Sequence, residues 1–275
     1  MPERARAIVV DEVVLDLEDS VSADDKNSAR AQLDEALGAG DWKPRSVAVR
    51  VNGVDTPWCR RDLGELIGPR AAVVGSIVVP KVERPGDLLY CDRMLAAHER
   101  DAGASARVGL QALIETAAGL RAVDSVAAAT PRLEALILGP ADLAASLGLA
   151  ATEPAARDEA LDFARAGVVG AARAAGVAAI DGPYLSVDDE DGLRRSAQRA
   201  RALGFDGKWA IHPRQVGPLE EVFTPTAEEL DRARAILAAL AEADVDGRGA
   251  VALDGEMVDE ASRKRAEALL ARAPS

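Results

Sequence analysis

The feature that most constrains the fold of this chain is a repeated alternation between short apolar runs and helical segments. The runs recur at intervals of roughly 25 to 35 residues, and the text between them is rich in Ala, Leu, Arg and Glu at helical spacing. Such alternation is typical of a parallel sheet whose strands are joined by helices. Seven runs fit a strand, and they lie at residues 12–19, 46–52, 75–83, 107–116, 133–143, 177–185 and 208–213.

Two α/β folds compete for this pattern. A doubly wound sheet often binds its ligand over a glycine-rich loop, but neither GxGxxG nor GxxxxGK[ST] follows any run. A (β/α)₈ barrel instead gathers its chemistry from the carboxyl ends of many strands. The groups at the ends of the seven runs are Asp16, Glu18, Asp19, Arg50, Asn52, Lys81, Glu83, Glu115, Thr116, Asp142, Asp181 and His212. Polar groups at every end favour the TIM (β/α)₈-type barrel.

The pattern changes after the last run. Two helical segments, at about 226–245 and 256–272, follow without a further strand–helix repeat. We therefore predict a barrel domain at residues 1–222. Residues 223–275 are expected to form a C-terminal helical arm or lid that contacts a neighbouring subunit.

Charge and hydropathy exclude some partners. The 275 residues include 33 Lys and Arg against 46 Asp and Glu, a formal net charge of −13, with no basic block. Nucleic-acid binding needs clustered positive charge, so nucleic acid is excluded as a partner. No apolar run approaches the ~20 residues that cross a bilayer, and the charged start has no signal-peptide core. We expect a cytoplasmic protein that does not bind membranes.

Several segments in a fixed order carry a family resemblance. They are VVLDLEDSVSADDKNSAR, VRVNGVDTPW, IVVPKVE, LIETAAGL, LILGPADLAASLG, AIHPRQV and DGEMVD. Together they resemble the citrate lyase beta-chain family within the HpcH/HpaI aldolase superfamily. The resemblance implies a Mg²⁺-dependent (β/α)₈ barrel that cleaves or forms a carbon–carbon bond of a short hydroxyacyl-CoA thioester, of the citramalyl, malyl or citryl type. It also implies a homotrimer or a multiple of trimers.

The chain departs from this family at its start. Family members usually open with a strand of the kind RSxLFVPG, whereas this sequence begins in the helix that follows it. We therefore expect a barrel that lacks its first strand, unless the translated start is misplaced.

The resemblance assigns the metal site to Glu115 and Asp142, which end consecutive strands. A hard cation such as Mg²⁺ suits this chemistry, because it takes one or two carboxylates and leaves its other positions to water and substrate. Glu115 is also expected to contact the substrate. The alternative is that each carboxylate caps the helix that follows it.

Arg50 matches the family's substrate-binding arginine, and a planar guanidinium can clamp a carboxylate with two parallel hydrogen bonds. Its alternative role is to neutralise carboxylates at the barrel mouth. We expect Glu18 and Asp19 to orient Arg50 and the metal's waters, and we assign Asp16 a structural role.

The roles of three other strand-end residues stay open. Lys81 could form a Schiff base with a keto substrate, although a metal site makes this route unnecessary. Glu83 is expected either to bind substrate or to hold Lys81. His212 could be a general base or a CoA contact. It precedes a proline, which favours an extended backbone, and so it could instead have a structural role.

The resemblance assigns Asp259, in DGEMVD, to proton transfer at the acyl-CoA carbon in the active site of a neighbouring subunit. The alternative is that Asp259 only caps the last helix. Two other functions stay open for the whole chain. One is a metal-dependent aldolase that acts on 2-oxo acids without CoA, and the other is a non-catalytic protein that binds acyl-CoA or metal.

Overall fold

The computed structural model describes residues 2–101, 103, 107–150, 153–245 and 247–273. The chain divides into two compact units, Met1–Leu219 and Glu220–Ser275. The boundary that we predicted, between residues 222 and 223, falls inside helix α12 (Val216–Phe223), which runs across the division. Every described helix is too short or too polar to span a membrane.

The first unit is built on one parallel sheet. Its strands are β1 (Glu12–Asp16), β2 (Ser46–Arg50), β3 (Ser76–Val79), β4 (Gly109–Ile114), β5 (Leu133–Leu138), β6 (Ala178–Asp181) and β7 (Gly207–Lys208). Each strand pairs in parallel with the next one along the chain, so the sheet curls as a half-barrel with β1 and β7 at its two edges. The seven predicted strands and the barrel-type fold are confirmed. Among the described residues, no eighth strand joins β7 to β1.

Helices connect the strands as the alternation predicts. They are α1 (Pro2–Ala7), α2 (Lys26–Gly38), α3 (Cys59–Arg61), α4 (Gly68–Arg70), α5 (Pro85–Asp101), α6 (Ala117–Arg121), α7 (Val123–Ala127), α8 (Pro140–Ser146), α9 (Pro154–Ala160), α10 (Asp162–Ala175) and α11 (Glu190–Leu203). A π-helical segment, Asp62–Ile67, links α3 to α4. Several predicted strands were too long at their carboxyl ends. The run at 133–143, for example, leaves the sheet after Leu138, and Pro140 then begins α8.

The apolar interior of the sheet determines which side chains reach the site. One buried layer contains a residue from each of four consecutive strands, namely Ala48, Val78, Leu113 and Ile137. Side chains alternate along a strand, so a residue two positions further on lies on the same face. Arg50 follows Ala48 in this way. Glu115 likewise follows Leu113, and the layer above the apolar core is therefore polar.

The second unit contains two helices and a hairpin. Helix α13 (Ala227–Val245) is followed by the antiparallel pair β8 (Val251–Leu253) and β9 (Glu256–Val258), and then by α14 (Glu260–Leu270). The predicted helix at 256–272 was wrong at its start, because its first residues form β9. Asp254 and Gly255 both have positive φ, of 50° and 83°, as a two-residue type I′ turn requires. The Asp-Gly pair was the sequence signal for this hairpin.

Candidate active site

Arg50 and Asp16 form the central ion pair at the carboxyl ends of β1 and β2. The two residues are register partners. Arg50 donates from Nε to Asp16 Oδ1 and from Nη2 to Asp16 Oδ2, each at 2.6 Å. Arg50 Nη1 lies 3.4 Å from Glu18 Oε2. Asp16, to which we had assigned only a structural role, is therefore the closer of the two carboxylate partners of Arg50.

The charges of this pair are mutually stabilised. Burial by itself raises the pKa of Asp16, but the hydrogen bonds and positive charge of Arg50 outweigh it and hold the pKa below its usual value. Burial would lower the pKa of Arg50, but Asp16 and the other nearby carboxylates raise it instead. The Arg50 side chain is 17% exposed. Asp16 uses only two of the five guanidinium N–H groups, so others are left for a ligand.

Glu115 lies directly after β4 and is 2% exposed. Its Oε1 accepts a hydrogen bond of 2.9 Å from the backbone N–H of Lys81. Room for this carboxylate comes from Gly139, where a Cβ would lie 2.5 Å from Glu115 Cβ. Glu115 does not cap the next helix, because Thr116 is the N-cap of α6 and its hydroxyl accepts from the N–H of Gly119.

Asp142 lies in the first turn of α8 and is exposed. The N-cap of α8 is Gly139, and no side chain caps this helix. The capping alternative therefore fails for Asp142 as well. Asp142 is close enough to Glu115 to affect its ionisation. The pKa of Glu115 is raised to about 7, chiefly by burial. The negative charges of Asp142 and Glu18 also raise this pKa, whereas the hydrogen bond from the Lys81 N–H and the charge of Arg50 lower it.

The pair Glu115 and Asp142 fits a hard divalent cation. Within the described residues, no donor binds Glu115 Oε2 or either carboxylate oxygen of Asp142. A cation between them would offset the repulsion that helps to raise the pKa of Glu115. The described residues hold no cluster of three or more His, Cys, Asp or Glu suited to a metal. A pair of carboxylates suits an ion such as Mg²⁺, which takes one or two protein carboxylates and keeps several waters.

Lys81 contacts the acidic residues that follow β1. Its Nζ lies 2.5 Å from Glu18 Oε1 and 3.2 Å from Asp19 Oδ2. Asp19 thus contacts Lys81, and its predicted role in orienting Arg50 has no direct contact to support it. Burial would lower the pKa of Lys81, but Glu18 and Asp19 outweigh it and raise the pKa. A Schiff-base lysine needs a neutral amine at working pH, so this environment argues against that alternative.

Two of the other predicted strand-end residues lie apart from these contacts. Glu83 is exposed. Of its two expected roles, holding the Lys81 ammonium is filled instead by Glu18 and Asp19, and substrate binding stays a prediction. His212 is the N-cap of a 3₁₀ helix, Pro213–Gln215, and its Nδ1 accepts from the N–H of Arg214 at 3.2 Å. This contact is a structural role for His212.

Asp259 belongs to the second unit, where it is the N-cap of α14. Its Oδ1 accepts from the N–H groups of Ala261 and Ser262 at 3.0 and 3.1 Å. The capping alternative is therefore realised. None of these hydrogen bonds uses Oδ2. The expected role of Asp259 in a neighbouring subunit stays a prediction.

Buried polar residues behind the site were missed from the sequence. Lys26 Nζ donates to the carbonyl oxygen of Glu18 at 2.7 Å and so holds the loop after β1. Asp62 accepts from Arg30 at 2.7 Å and from the side chain of Asn52 at 2.6 Å, which fixes the loop after β2. Charged residues are seldom fully buried, and no local signal distinguishes these from surface residues of a helix.

Sequence relationships place this geometry in a known family. Residues 1–213 match the model of the HpcH/HpaI aldolase/citrate lyase family. The chain belongs to this family. The predicted resemblance is confirmed. The strand-end residues Arg50, Glu115 and Asp142 all lie within the matched residues.

Individual members of the HpcH/HpaI family agree with this assignment. The chain is 40% identical over 285 residues to an L-malyl-CoA/beta-methylmalyl-CoA lyase of Cereibacter sphaeroides, covering 98% of this chain and 90% of that protein. It is 36% identical over 272 residues to a (3S)-malyl-CoA thioesterase of the same species, covering 98% and 89%. The solved structure of CitE from Mycobacterium tuberculosis in complex with magnesium, acetoacetate and coenzyme A is 31% identical. Its TM-score is 0.76, over 99% of this chain and 94% of that chain.

Proposed function

We propose that this chain is a Mg²⁺-dependent CoA-ester lyase that cleaves or forms the carbon–carbon bond of a malyl-CoA-type thioester. The observation that carries the proposal is the buried Glu115 beside Asp142, with Arg50 at the carboxyl end of β2 in the same sheet. The 40% identity to an L-malyl-CoA/beta-methylmalyl-CoA lyase supports the malyl type among the hydroxyacyl-CoA substrates.

The reaction sets three tasks for the side chains. Cleavage of malyl-CoA breaks the bond between the hydroxyl-bearing carbon and the carbon next to the thioester. The hydroxyl loses its proton and becomes the aldehyde oxygen of glyoxylate. The bonding electrons pass to the carbon next to the thioester, as its enolate, and this carbon gains a proton to give the methyl group of acetyl-CoA. The site must therefore bind the free carboxylate, stabilise negative charge on oxygen and deliver a proton to carbon.

Arg50 performs the first task. Asp16 fixes its guanidinium from one side, and the remaining N–H groups bind the substrate carboxylate. Glu115 and Asp142 hold Mg²⁺, and Glu115 also lies against the substrate. When bound, Mg²⁺ supplies the Lewis acid that stabilises the developing charge on oxygen. Glu18 and Asp19 orient the waters of the site, and exposed Glu83 contacts the substrate from the loop after β3.

Asp259 performs the proton transfer at the acyl-CoA carbon, and it does so in the site of a neighbouring subunit. The carboxylate is held by two backbone N–H groups through Oδ1, which leaves Oδ2 for the proton. The functional unit is then a homo-oligomer, a trimer or a multiple of trimers. The C-terminal unit serves as the arm that brings Asp259 to its neighbour.

Thioester hydrolysis is the second candidate, because a (3S)-malyl-CoA thioesterase is 36% identical to this chain. The two reactions differ in their products. A lyase releases glyoxylate and acetyl-CoA from malyl-CoA, whereas a thioesterase releases malate and free CoA. An aldolase that acts on 2-oxo acids without CoA would not turn over malyl-CoA by either reaction.

The test is a product assay on a panel of CoA thioesters with and without Mg²⁺. We expect malyl-CoA to give acetyl-CoA and glyoxylate, with loss of turnover in EDTA and recovery with added Mg²⁺. Glu115→Gln and Asp142→Asn should each remove this turnover. Cleavage that survives EDTA, or free CoA as the only CoA product, would contradict the lyase proposal.

A further inference from the structure

The backbone of Lys81 adopts a conformation that is rare for a residue with a side chain. Its φ is 51°, in the left-handed region. The next residue, Val82, is fully buried and fixed on two sides. Its N–H donates to the carbonyl oxygen of Leu113 at 3.3 Å, and its own carbonyl oxygen would lie 2.2 Å from a Cβ placed on Gly119. The chain passes from β3 into this fixed position through the turn at Lys81.

The turn at Lys81 directs two of its groups at two different strand ends. The backbone N–H of Lys81 binds Glu115 Oε1, after β4. The ammonium binds Glu18 at 2.5 Å and Asp19 at 3.2 Å, after β1. Strained backbone of this kind persists only where the surroundings impose it, and it concentrates at functional sites.

The charges around Lys81 show why its ammonium matters. Asp16, Glu18, Asp19, Glu115 and Asp142 are carboxylates of the site. Among the described residues, the cations that form ion pairs with them are Arg50 and Lys81. Asp16 occupies one edge of the Arg50 guanidinium. Lys81 is therefore the closest cation to Glu18 and Asp19, which would otherwise repel each other and Glu115.

We propose that Lys81 is a positioning residue that preassembles the carboxylates of the site. Its N–H fixes Glu115, and its ammonium holds Glu18 and Asp19 in place for the reaction, which rests on the proposed lyase function. The same ammonium repels a divalent cation nearby. Loss of the ammonium should therefore strengthen Mg²⁺ binding while it slows turnover, whereas loss of a merely structural lysine would weaken both or neither.

The experiment compares Lys81→Gly, Lys81→Met and Lys81→Arg with the full-length parent chain. Lys81→Gly relieves the left-handed strain and keeps the N–H, so it should fold with a thermal midpoint at or above that of the parent. Calorimetric titration with MgCl₂ alone should show binding to Lys81→Gly and Lys81→Met that is about fivefold tighter than to the parent. Their kcat on malyl-CoA should fall about tenfold or more, with partial recovery in Lys81→Arg.

The control is Lys43→Met, which removes an exposed lysine that precedes β2, at the opposite end of the strands. It should change neither Mg²⁺ affinity nor kcat. The proposal is overturned if Lys81→Gly keeps kcat within twofold of the parent, or if its Mg²⁺ affinity falls. An inactive parent would refute the lyase function alone, because the MgCl₂ titration needs no substrate and still tests the effect of the ammonium.

Discussion

Asp16 and Arg50 lie opposite each other at the last pair of the β1–β2 ladder and are joined by two hydrogen bonds of 2.6 Å. The pair points to the same face of the sheet as the apolar layer formed in part by Ala48. The orientation of the guanidinium is thus set by the sheet itself. A substrate carboxylate would meet an arginine that is already fixed.

Asp16→Asn should remove the negative charge beside Arg50 and one of the two oxygen atoms that accept hydrogen bonds from its guanidinium. Arg50 would then be free to turn toward Glu18, 3.4 Å away. We expect kcat/KM on malyl-CoA to fall by about 10- to 100-fold, mainly through KM, because Arg50 binds the substrate carboxylate. Asp188→Asn is the matched control, since Asp188 pairs with Arg214 on the surface and should leave the kinetics unchanged. An unchanged KM in Asp16→Asn would contradict the role of Asp16.

Gly139→Ala tests the space beside Glu115. A Cβ at this position would lie 2.5 Å from Glu115 Cβ and 2.7 Å from Oε2. Glu115 must then move, and we expect Mg²⁺ affinity to fall by about tenfold or more, with a stability loss of about 1–3 kcal/mol.

Gly170→Ala is the control for this substitution, because a Cβ at Gly170 in α10 meets nothing within 4 Å. It should keep Mg²⁺ affinity and raise the free energy of unfolding by about 0.5–1 kcal/mol through helix propensity. Equal Mg²⁺ affinities in the two variants, measured by calorimetry, would show that Glu115 does not need this space.

The pKa of Glu115, at about 7, predicts pH-dependent Mg²⁺ binding. Mg²⁺ binds the ionised carboxylate, so its apparent affinity should be about tenfold weaker at pH 6 than at pH 8. The metal-free protein should show the opposite trend in stability. The folded-state pKa of Glu115 lies above the usual 4.5, so between pH 4.5 and about pH 7 the folded state holds more protons than the unfolded state. The contribution of Glu115 to the free energy of unfolding therefore falls as pH rises through this range.

The measurement is a calorimetric titration with MgCl₂ at pH 6, 7 and 8, in buffers of different ionisation enthalpy. Near pH 7, about half a proton should be released for each Mg²⁺ bound. An affinity that stays constant from pH 6 to pH 8, with no proton release, would contradict a raised pKa for Glu115.

Strand alternation explains how far the sequence predicted this site. Arg50 and Glu115 were predicted as site residues because they end their apolar runs, and in the structure both continue the inward face of their strands. Strand alternation could not rank Asp16 against Glu18, because β1 ends at Asp16 and Glu18 lies in the loop beyond. The turn at Lys81 had no local signal either. Left-handed backbone is usually marked by Gly or Asn, and here the buried contacts of Val82 impose it on a lysine.

Arg165 should be the most costly ion-pair residue to remove from the first unit. Its side chain is fully buried in α10, and its Nε donates to Asp181, also fully buried, at 3.1 Å. Arg165→Met would leave the negative charge of Asp181 with Lys208 alone. We expect the free energy of unfolding to fall by about 3–5 kcal/mol in urea titrations. Arg214→Met breaks an exposed pair and should cost less than about 1 kcal/mol, so similar losses would contradict the distinction.

Subunit complementation tests whether Asp259 acts in a neighbouring site. Glu115→Gln and Asp259→Asn should each be inactive on malyl-CoA by themselves. If one site combines Glu115 of one chain with Asp259 of the next, mixed oligomers regain sites in which both residues are intact. For equal amounts of the two chains, random assembly gives about a quarter of the parental number of sites.

The two variants should be mixed after unfolding and refolded together, so that their chains exchange. Recovery of about a quarter of parental kcat would support a shared site, because no single chain in the mixture carries both intact residues. Asp259→Ser is a useful third variant, since serine can also cap α14 and would separate a stability loss from a loss of proton transfer. If the refolded mixture stays as inactive as its parts, Asp259 acts within its own chain. An active Asp259→Asn would show instead that Asp259 only caps α14, because asparagine caps a helix equally well.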